Sequence, residues 1–420
     1  MRSSDRVDAR RAMTIVEGLE SFAGRGAGTD AERRAANWLA RQAGAEGRDT
    51  RLETFWCRPN WALAHAWHVA LAITGSLISL ASPVAGIVIL AVALGSVLAD
   101  DISGVSLGRR LTPERASQNL IGSAAEPTSD RTRLILTANY DAGRTGLAYR
   151  LRPITARFVN ALRGLTPGWL GWLAIAIAWL EAIAVVRELG HSSHVLGAIQ
   201  FPPTAGLLLG FALLLELGTG RWSPAAGDNG SGVAAAVEVA DALLATPPKH
   251  LQVEIALTGA AQTGLRQRLR AGPTKPRYRW RRQRHNPRPA GAIVLGIAVC
   301  ASGAPHWWQS DGALIPLRYS SVLRRVAARI AEDEPHLGIG AHRGRGSGGA
   351  SVARSGGLAS ITVGSLERTG APARSHQQAD TSAAVDLEAL DRMVQFTLML
   401  VDGIDAAVGD TVRPPTTTRA

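Results

Sequence analysis

The chain has 420 residues, enough for two or three domains of average size, and its hydrophobic fraction of 46% is unevenly spread. Lysine and arginine exceed aspartate and glutamate by 46 to 34, so the formal net charge is +12 and the pI is near 11.0. Such a balance is typical of nucleic-acid binding, of contact with anionic lipid, or of a genome rich in arginine codons. Cys57 and Cys300 fit no metal-site or redox spacing, and the N-terminus lacks the apolar core of a signal peptide, so nothing indicates an oxidising compartment.

Two nearly uncharged stretches interrupt the soluble N-terminal part. Before them, two amphipathic helices are expected within residues 4–45, and residues 50–56 alternate as a strand does. Trp61–Ala81 and Val84–Ala99 are then about long enough to cross a bilayer, with a two-residue turn between them. They are predicted to form a transmembrane hairpin over residues 61–99.

A second pair of apolar segments, Trp169–Val186 and Val195–Leu217, predicts another transmembrane hairpin over residues 166–218. Four such spans in two pairs, with tryptophan near their starts, favour membrane helices over buried core helices. Glu181 and Glu216 lie inside the second pair, where a charge is costly. Each is interpreted as packing against a neighbouring helix or reaching the interface, with a functional proton or ion site as the alternative.

Outside the hairpins, apolar runs that suit buried strands alternate with helical segments. The predicted strands are Arg133–Ala138, Gln252–Leu257, Ala292–Val299 and Leu358–Val363, and the predicted later helices are Ser321–Glu332 and Asp386–Ala407. This alternation predicts an α/β fold with a mostly parallel sheet flanked by helices and interrupted by the two transmembrane hairpins. One discontinuous domain, made of residues 1–60, 101–165 and 219–412, is expected, followed by a disordered tail at residues 413–420.

Each hairpin crosses the membrane twice, so every soluble segment is expected on one side. That side carries the arginine clusters Arg109–Arg110, Arg150–Arg157 and Arg266–Arg288, and the positive-inside rule makes it cytoplasmic. We therefore predict a multi-pass protein of the cell (inner) membrane, with the lipid bilayer as its partner. The Arg-rich loop at residues 265–289 is interpreted as solvated or facing lipid headgroups; nucleic-acid binding is not expected, because no such module frames it.

The most informative motif is AAGDNGSGVAAAVEVADALLA, from Ala225 to Ala245. Gly227 and Gly230 free the backbone to turn around Asp228 and Asn229, and apolar residues at helical spacing follow. A carboxylate placed where a strand passes into a helix is a common way to build a metal or catalytic site. The alternative is an Asp–Asn–Gly turn that caps a helix, and the motif alone does not separate the two.

Six segments, in order along the chain, resemble the co-catalytic zinc aminopeptidases and carboxypeptidases, which include bacterial leucyl aminopeptidases, glutamate carboxypeptidase II and the related glutaminyl cyclases. The segments are NLIG, LILTANYDAG, AAGDNGSGVAAAVEVADALL, VEIALTGAAQTGL, AIVLGIA and RSHQQADT, and they cover most of the soluble chain. The hairpins are insertions relative to the plain family domain. The resemblance implies a zinc-exopeptidase-like fold, in which five side chains hold two zinc ions and a glutamate acts as general base in hydrolysis of a terminal peptide bond.

Some of the family's positions are retained in this sequence. The aspartate that orients the first ligand histidine falls on Asp141, the bridging carboxylate on Asp228 and the last ligand on His376. The resemblance places these three side chains together at one end of the sheet, either as a hydrogen-bonded structural trio or, for Asp228 and His376, as metal ligands. It also implies that the peptide bond between Asp228 and Asn229 is cis.

The other positions have lost their chemistry. The first ligand histidine falls on Asn139, the general-base glutamate on Ala261, the next ligand on Gln262, and a further ligand aspartate at or near Gly296. An amide oxygen carries no charge to offset a cation, and a methyl group accepts no proton. No catalytic residue is therefore assigned.

These losses favour a pseudoenzyme, in which an inactive domain binds or scaffolds a peptide or protein partner in its vestigial cleft. No cofactor is expected, with zinc at a single residual site of Asp228 and His376 as the alternative. The second hypothesis is a divergent metal-dependent exopeptidase or amidohydrolase. Its single-metal site would use Asp228, His376 and Gln262, aided by an acid such as Glu254 or Asp311.

A third class of function is a small transporter or channel formed by the four membrane helices. The polar groups available to it are Glu181, Glu216, His65 and His68. Four helices from one chain form a meagre pathway, and the sequence leaves the oligomeric state open.

Overall fold

The computed structural model describes residues 9–45, 47–123, 131–152, 155, 167–191, 193–260, 292–346 and 348–412. Its helices are α1 (Ala9–Glu20), α2 (Asp30–Ala45), α3 (Trp61–Ile78), α4 (Pro83–Ser103), α5 (Leu107–Arg110), α6 (Leu147–Arg150), α7 (Trp169–Glu188), α8 (His194–Thr219), α9 (Gly232–Ala245), α10 (Ser321–Asp333), α11 (Ser351–Ser355) and α12 (Leu387–Val412). Its strands are β1 (Asp49–Cys57), β2 (Arg115–Ser123), β3 (Thr132–Asn139), β4 (Leu251–Thr258), β5 (Ala292–Ile297), β6 (Ala304–Asp311), β7 (Leu317–Arg318), β8 (Gly340–Arg343) and β9 (Ala359–Leu366). The predicted tail at residues 413–420 and the Arg-rich loop at residues 265–289 lie outside the described residues.

The nine strands form one mixed sheet in the order β1-β2-β4-β3-β5-β9-β6-β7, with β8 beside β6. The central strands β4, β3, β5 and β9 are parallel, whereas β1, β2 and β4 pair antiparallel on one side and β6 runs antiparallel to β9 on the other. The α/β prediction is confirmed, but the expectation of a mostly parallel sheet holds only at the centre. The chain leaves β1, passes through α3 and α4, and returns beside it as β2, so these two strands pair antiparallel.

Alternate residues of the central strands pack into two cores. On β3, Leu134 and Leu136 lie in the larger core with residues of α1, α9 and α12, whereas Ile135 lies in a smaller one with Tyr319 and Ala350. Helix α9 is buried along most of its length, and its alanines permit close packing on the sheet. The larger core therefore lies directly against the helix that follows Asp228.

Four helices are long and apolar enough to cross a membrane. Helices α3, α4, α7 and α8 have 18, 21, 20 and 26 residues and mean hydropathies of 1.3, 2.1, 2.0 and 1.7. At ~1.5 Å per residue the shortest is about 27 Å long, close to the ~30 Å of a hydrocarbon layer. They pack together through Val69, Leu90, Leu173, Ile177 and Leu207. The two predicted hairpins are thus present as paired apolar helices.

A buried polar chain joins the first hairpin to the soluble part. The Asp100 carboxylate accepts a hydrogen bond from Arg109 Nε at 3.1 Å and lies 3.2 Å from His65 Nε2. His65 Nδ1 lies 3.1 Å from His68 Nδ1, and His68 Nε2 lies 2.9 Å from Ser96 Oγ. These polar groups are partners for one another. Two of the side chains considered for a transport path are therefore engaged in holding the hairpin together.

Glu216, near the end of α8, makes a structural contact with the soluble part. Its two carboxylate oxygens accept hydrogen bonds from the backbone N–H of Leu147 at 3.2 and 3.1 Å, where α6 begins. A carboxylate is favourable at a helix N-terminus because of the exposed N–H groups there. This geometry agrees with the interpretation of Glu216 as a packing residue, while Glu181 is half-buried within α7.

The fully buried Arg25 ties separate segments together next to Asp141. Its guanidinium donates hydrogen bonds to four carbonyl oxygens at 2.5 to 2.9 Å, those of Leu19, Tyr140, Pro224 and Ala225. These residues belong to the end of α1, the segment after β3 and the turn before α9. Burial lowers the pKa of Arg25 to about 10, against the opposing effects of the carboxylates of Asp380 and Asp141. The guanidinium therefore remains charged at neutral pH.

Glu32 of α2 holds the loop after β4. Its carboxylate accepts hydrogen bonds from Gly28 N–H at 2.6 Å, Ser117 Oγ at 2.8 Å and Ala260 N–H at 2.9 Å. Ala260 has a φ of 49°, which is uncommon for a residue other than glycine. Burial, followed by the charge of Asp141, raises the pKa of Glu32 to about 8, against the effect of these hydrogen bonds.

We expect Arg25→Met to lower the free energy of unfolding by about 3–5 kcal/mol, because buried carbonyl and carboxylate oxygens lose their cation. Denaturant unfolding in detergent, followed by circular dichroism, measures the change. Arg33→Met is the control: the Arg33 side chain is 65% exposed, and its loss should cost less than about 1 kcal/mol. Equal effects of the two substitutions would contradict the role assigned to Arg25.

The titration of Glu32 predicts a pH dependence of stability. Its folded-state pKa of about 8 lies above the ordinary glutamate value of 4.5, so unfolding releases a proton between these values and stability falls as the pH rises through this window. Glu32→Gln removes the titration. The stability of the unaltered protein relative to this variant should therefore decline between about pH 5 and pH 8.

Denaturant midpoints measured at several pH values provide the test. Glu17→Gln, at an exposed position of α1, is the control; because it retains Glu32, its stability should decline with pH in parallel with that of the unaltered protein. A stability difference between the unaltered protein and Glu32→Gln that stays constant across this range would refute the raised pKa.

Candidate functional site

The turn that carries Asp228 is held by another carboxylate, that of Asp380. Asp380 Oδ1 accepts from Gly227 N–H at 2.7 Å, and Oδ2 accepts from Asp228 N–H at 3.0 Å. The backbone of Asp228 and Asn229 is not helical, so the turn Ala226–Ser231 is kinked there, and the Asp228–Asn229 peptide is cis, as the resemblance implies. Burial, followed by the charge of Asp228, raises the pKa of Asp380 to about 7. Asp380 therefore positions the retained carboxylate.

His376 lies beside Asp228, packed between a ring and the backbone. The Tyr149 ring stacks on the imidazole with 4.1 Å between centroids, and a Cβ atom at Gly143 would overlap its other side. His376 Nδ1 lies 3.1 Å from the carbonyl oxygen of Arg144; because a carbonyl only accepts, Nδ1 carries the proton in this contact. Burial lowers the pKa of His376, against the effect of Asp228.

The remaining imidazole nitrogen faces the retained carboxylate. His376 Nε2 lies 3.6 Å from Asp228 Oδ2, and the same oxygen accepts a hydrogen bond from Ser375 Oγ at 2.5 Å. The two ligand positions that the sequence retains are therefore neighbours, and Ser375 joins them.

A chain of amide groups lies where the resemblance expects the first ligand. Asn229 Nδ2 donates to Asn139 Oδ1 at 3.2 Å, and Asn139 Nδ2 donates to Asp141 Oδ1 at 3.3 Å. Asn229 Nδ2 also donates to the carbonyl oxygen of Ile297 at 3.1 Å. Asp141, which is fully buried, is thus linked to the Asp228 turn through Asn139.

The other positions of the implied site contribute no ligand in the described structure. Gly296 pairs with Thr137, two residues before Asn139 on β3, and a Cβ atom there would crowd the backbone of Ala350. Beyond Gly296, the cavity wall is formed by Ile297, Ala298 and Val299. Ala261 and Gln262 lie outside the described residues.

The donors around Asp228 do not fit a zinc pair. Among the implied ligand positions, only Asp228 and His376 carry a carboxylate or an imidazole. Within the described parts of the chain, no group of three His, Cys, Asp or Glu side chains could hold a metal ion. A single zinc ion in proteins takes three or four such donors, and a pair needs more. The side chains at the implied ligand positions therefore do not support chemistry at a zinc pair, and the absence of bound zinc stays a prediction.

The two acids considered as substitutes have other partners. Glu254 accepts from Arg133 at 2.5 Å and pairs with Ile135, four residues before the end of β3. Asp311 accepts hydrogen bonds from the backbone N–H groups of Gly312, Gly346 and Gly348. Burial raises the pKa of Asp311, and these hydrogen bonds oppose the shift. Asp311 nevertheless lines the same cavity as Asp228 and His376.

That cavity joins the cleft to the apolar helices α7 and α8. Its volume is about 1030 Å³ as bounded by the described residues. One end is lined by Asn139, Asp228 and His376, and the other by apolar residues of α7 and α8 such as Leu173 and Leu207. The cleft is therefore open toward the apolar helices as well as toward the soluble domain.

Sequence reasoning missed several residues that shape the site. Asp380 stands four residues after His376 in RSHQQADT, and this spacing was the only signal for it. Neither Ser375 nor Tyr149 belongs to a motif that marks it as a site residue. Ser375 contacts Asp228 and Tyr149 contacts His376, and the residues of each pair are at least 147 positions apart in the sequence.

No protein-family model and no curated protein matches this sequence. Among solved structures, a glutaminyl cyclase from Porphyromonas gingivalis has a TM-score of 0.51 at 13% identity, covering 95% of this chain and 99% of that one. A glutaminyl cyclase from Bacteroides thetaiotaomicron, bound to N-acetylhistamine, has a TM-score of 0.50 at 15% identity, with coverage of 94% and 98%. A leucine aminopeptidase precursor from Bacteroides thetaiotaomicron has a TM-score of 0.49 at 14% identity, with coverage of 96% and 99%.

At these sequence identities, the similarity shows a shared fold and not a shared function. Glutaminyl cyclases are among the proteins that the six sequence segments resemble, so this likeness in fold agrees with the resemblance. The chain has a mixed α/β fold similar to that of the two glutaminyl cyclases.

Proposed function

We propose that this chain is a multi-pass membrane protein whose zinc-exopeptidase-like domain is a pseudopeptidase. The domain binds a peptide or protein partner in its cleft, or scaffolds one, and does not cleave it. The observation that supports this most directly is the amide chain from Asn229 through Asn139 to Asp141. It places neutral, mutually hydrogen-bonded groups where the family has a metal ligand, and neutral amides do not compensate paired cations.

The membrane placement follows from the four apolar helices. Residues 1–60, 101–165 and 219–412 form the proposed domain, and residues 61–99 and 166–218 form the proposed hairpins. Both hairpins leave and re-enter the domain on the same side, which the arginine clusters make cytoplasmic by the positive-inside rule. The cell (inner) membrane is the proposed location.

One observation favours the alternative of a single-metal hydrolase. Nδ1 of His376 is engaged by the Arg144 carbonyl, which leaves the Nε2 lone pair facing Asp228. Metal-binding histidines are commonly oriented by such a second hydrogen bond. Gln262 is the proposed third donor. Two donors with a neutral third make a weak site, so we rank this function second.

Metal content separates the two functions. We expect the detergent-purified protein to contain well under one zinc per chain, and Asp228→Ala combined with His376→Ala to leave that content unchanged, because three charged or imidazole donors are needed for tight binding. Elemental analysis after dialysis against zinc measures it. Stoichiometric zinc that disappears in the double variant would instead establish the single-metal site, and peptidase assays would follow.

Membrane topology is tested by cysteine labelling, for which the chain is well suited because Cys57 and Cys300 are buried. His191→Cys lies in the exposed turn between α7 and α8, and Glu388→Cys lies on the surface of the soluble domain, 79% exposed. In right-side-out membrane vesicles, an impermeant maleimide should label His191→Cys at once and Glu388→Cys only after lysis. Labelling of both before lysis, or the reverse order, would contradict the proposed orientation.

A further inference from the structure

The cavity that joins the cleft to α7 and α8 has an apolar end that the described side chains leave open. Gly206 and Gly210, one turn apart on α8, line it, and a Cβ atom at either position would meet no atom within 4 Å. Leu170, Leu173 and Leu207 also line it. Apolar space of this kind is poorly filled by water, because water needs polar partners.

The lining of the same cavity carries arginines. Arg152, Arg343, Arg345 and Arg354 line it. Burial lowers the pKa of His342 to about 4. The charges of His306, Arg152 and Arg345 also lower it, so the guanidinium groups of Arg152 and Arg345 both lie near this imidazole. Two positive charges close to one imidazole favour the binding of an anion there.

Among the described residues, the arginines that line the cavity, with Arg109 included, outnumber its carboxylates by five to four. These carboxylates are those of Asp100, Asp101, Asp228 and Asp311. Asp100 is paired with Arg109 and Asp311 is bound by three backbone N–H groups. Asp228 accepts from Ser375 and lies beside His376. Arg152 opposes the rise of the Asp311 pKa and so lies within electrostatic reach of that carboxylate, but the lining as a whole keeps the excess of positive charge.

We infer that this cavity binds an anionic phospholipid from the surrounding bilayer, with its headgroup between Arg152 and Arg345 and an acyl chain along the Gly206–Gly210 face of α8. The combination of an apolar groove within candidate membrane helices and a cationic lining of the same cavity matches an amphiphile with a negative head. The volume of about 1030 Å³ is at the upper end of the ~300–1,000 Å³ of small-molecule pockets. This inference rests on the membrane placement in the proposed function and names the ligand of the membrane side of the same cleft.

The test counts lipids retained by the full chain. Protein is purified from membranes, incubated in detergent with mixed micelles of phosphatidylglycerol or phosphatidylcholine, washed, and extracted for mass spectrometry. We expect about one phosphatidylglycerol per chain and several-fold less phosphatidylcholine. Retention of no lipid, or equal retention of both, overturns the inference. A parallel arm adds inorganic phosphate: if millimolar phosphate displaces the lipid, the site takes a free anion and the lipid assignment is wrong.

Two sets of variants locate the site. Gly206→Leu with Gly210→Leu fills the apolar end and should reduce retained phosphatidylglycerol about tenfold, whereas Gly197→Leu should not, because Gly197 lies on the same helix, has equal free space and does not line the cavity. Arg152→Ala with Arg345→Ala should abolish the preference for phosphatidylglycerol while phosphatidylcholine retention stays unchanged. Equal losses in the Gly197 control and the double glycine variant overturn the assignment.

Carbonate extraction of membranes separates this inference from the proposed function. A chain that resists extraction but retains no lipid refutes the lipid site and leaves the membrane placement standing. A chain that carbonate releases refutes the membrane placement itself.

Discussion

The geometry of the candidate site depends on the buried guanidinium of Arg25. Moving such a cation out of water costs several kcal/mol, and only a complete set of acceptors offsets the cost. Leu19, Tyr140 and Ala225 supply acceptors from three different segments, so one side chain fixes their separations. Asp141 lies within its electrostatic reach, as does Asp380. Arg25 therefore supplies part of the positive charge that stabilises the carboxylates of Asp141 and Asp380.

The second hairpin is attached directly to this site. Glu216 of α8 caps α6, and α6 carries Tyr149, whose ring stacks on His376. On the other side of the same junction, the Arg144 guanidinium lies 4.1 Å from the ring centroid of Trp222, just before the Asp228 turn. A displacement of α8 relative to the domain would thus act on the ring that packs against His376. Helix α8 is therefore connected to the cleft through the contacts of α6.

How far the sequence predicts this structure depends on how local each signal is. The four long apolar helices were predictable because length and apolarity are properties of a continuous stretch, and the resemblance placed Asp228 and His376 side by side. Strand β6, with the sequence APHWWQSD, was not predicted; its pattern is irregular, and its pairing with β8 and β9 is non-local. Arg25 carried no signal either, because its four acceptors come together only in the folded chain. The antiparallel edges of the sheet were missed because the path of the chain between strands, not propensity, sets strand direction; at the β1–β2 edge that path runs through the first hairpin.

The electrostatics of the cleft fit a site that works without paired cations. A buried carboxylate needs a positively charged or hydrogen-bonding partner. In a fold of this kind without zinc, each carboxylate of the site must either find such a partner within the protein or be replaced by an uncharged residue. This chain does both. By the resemblance, Ala261, Gln262 and Gly296 stand where acids would be, while each retained acid has partners within the protein. Asp380 accepts two backbone N–H groups, and Asp228 accepts from Ser375 beside His376. The partners of these acids are built into the fold, and this is the arrangement on which the proposed binding role rests.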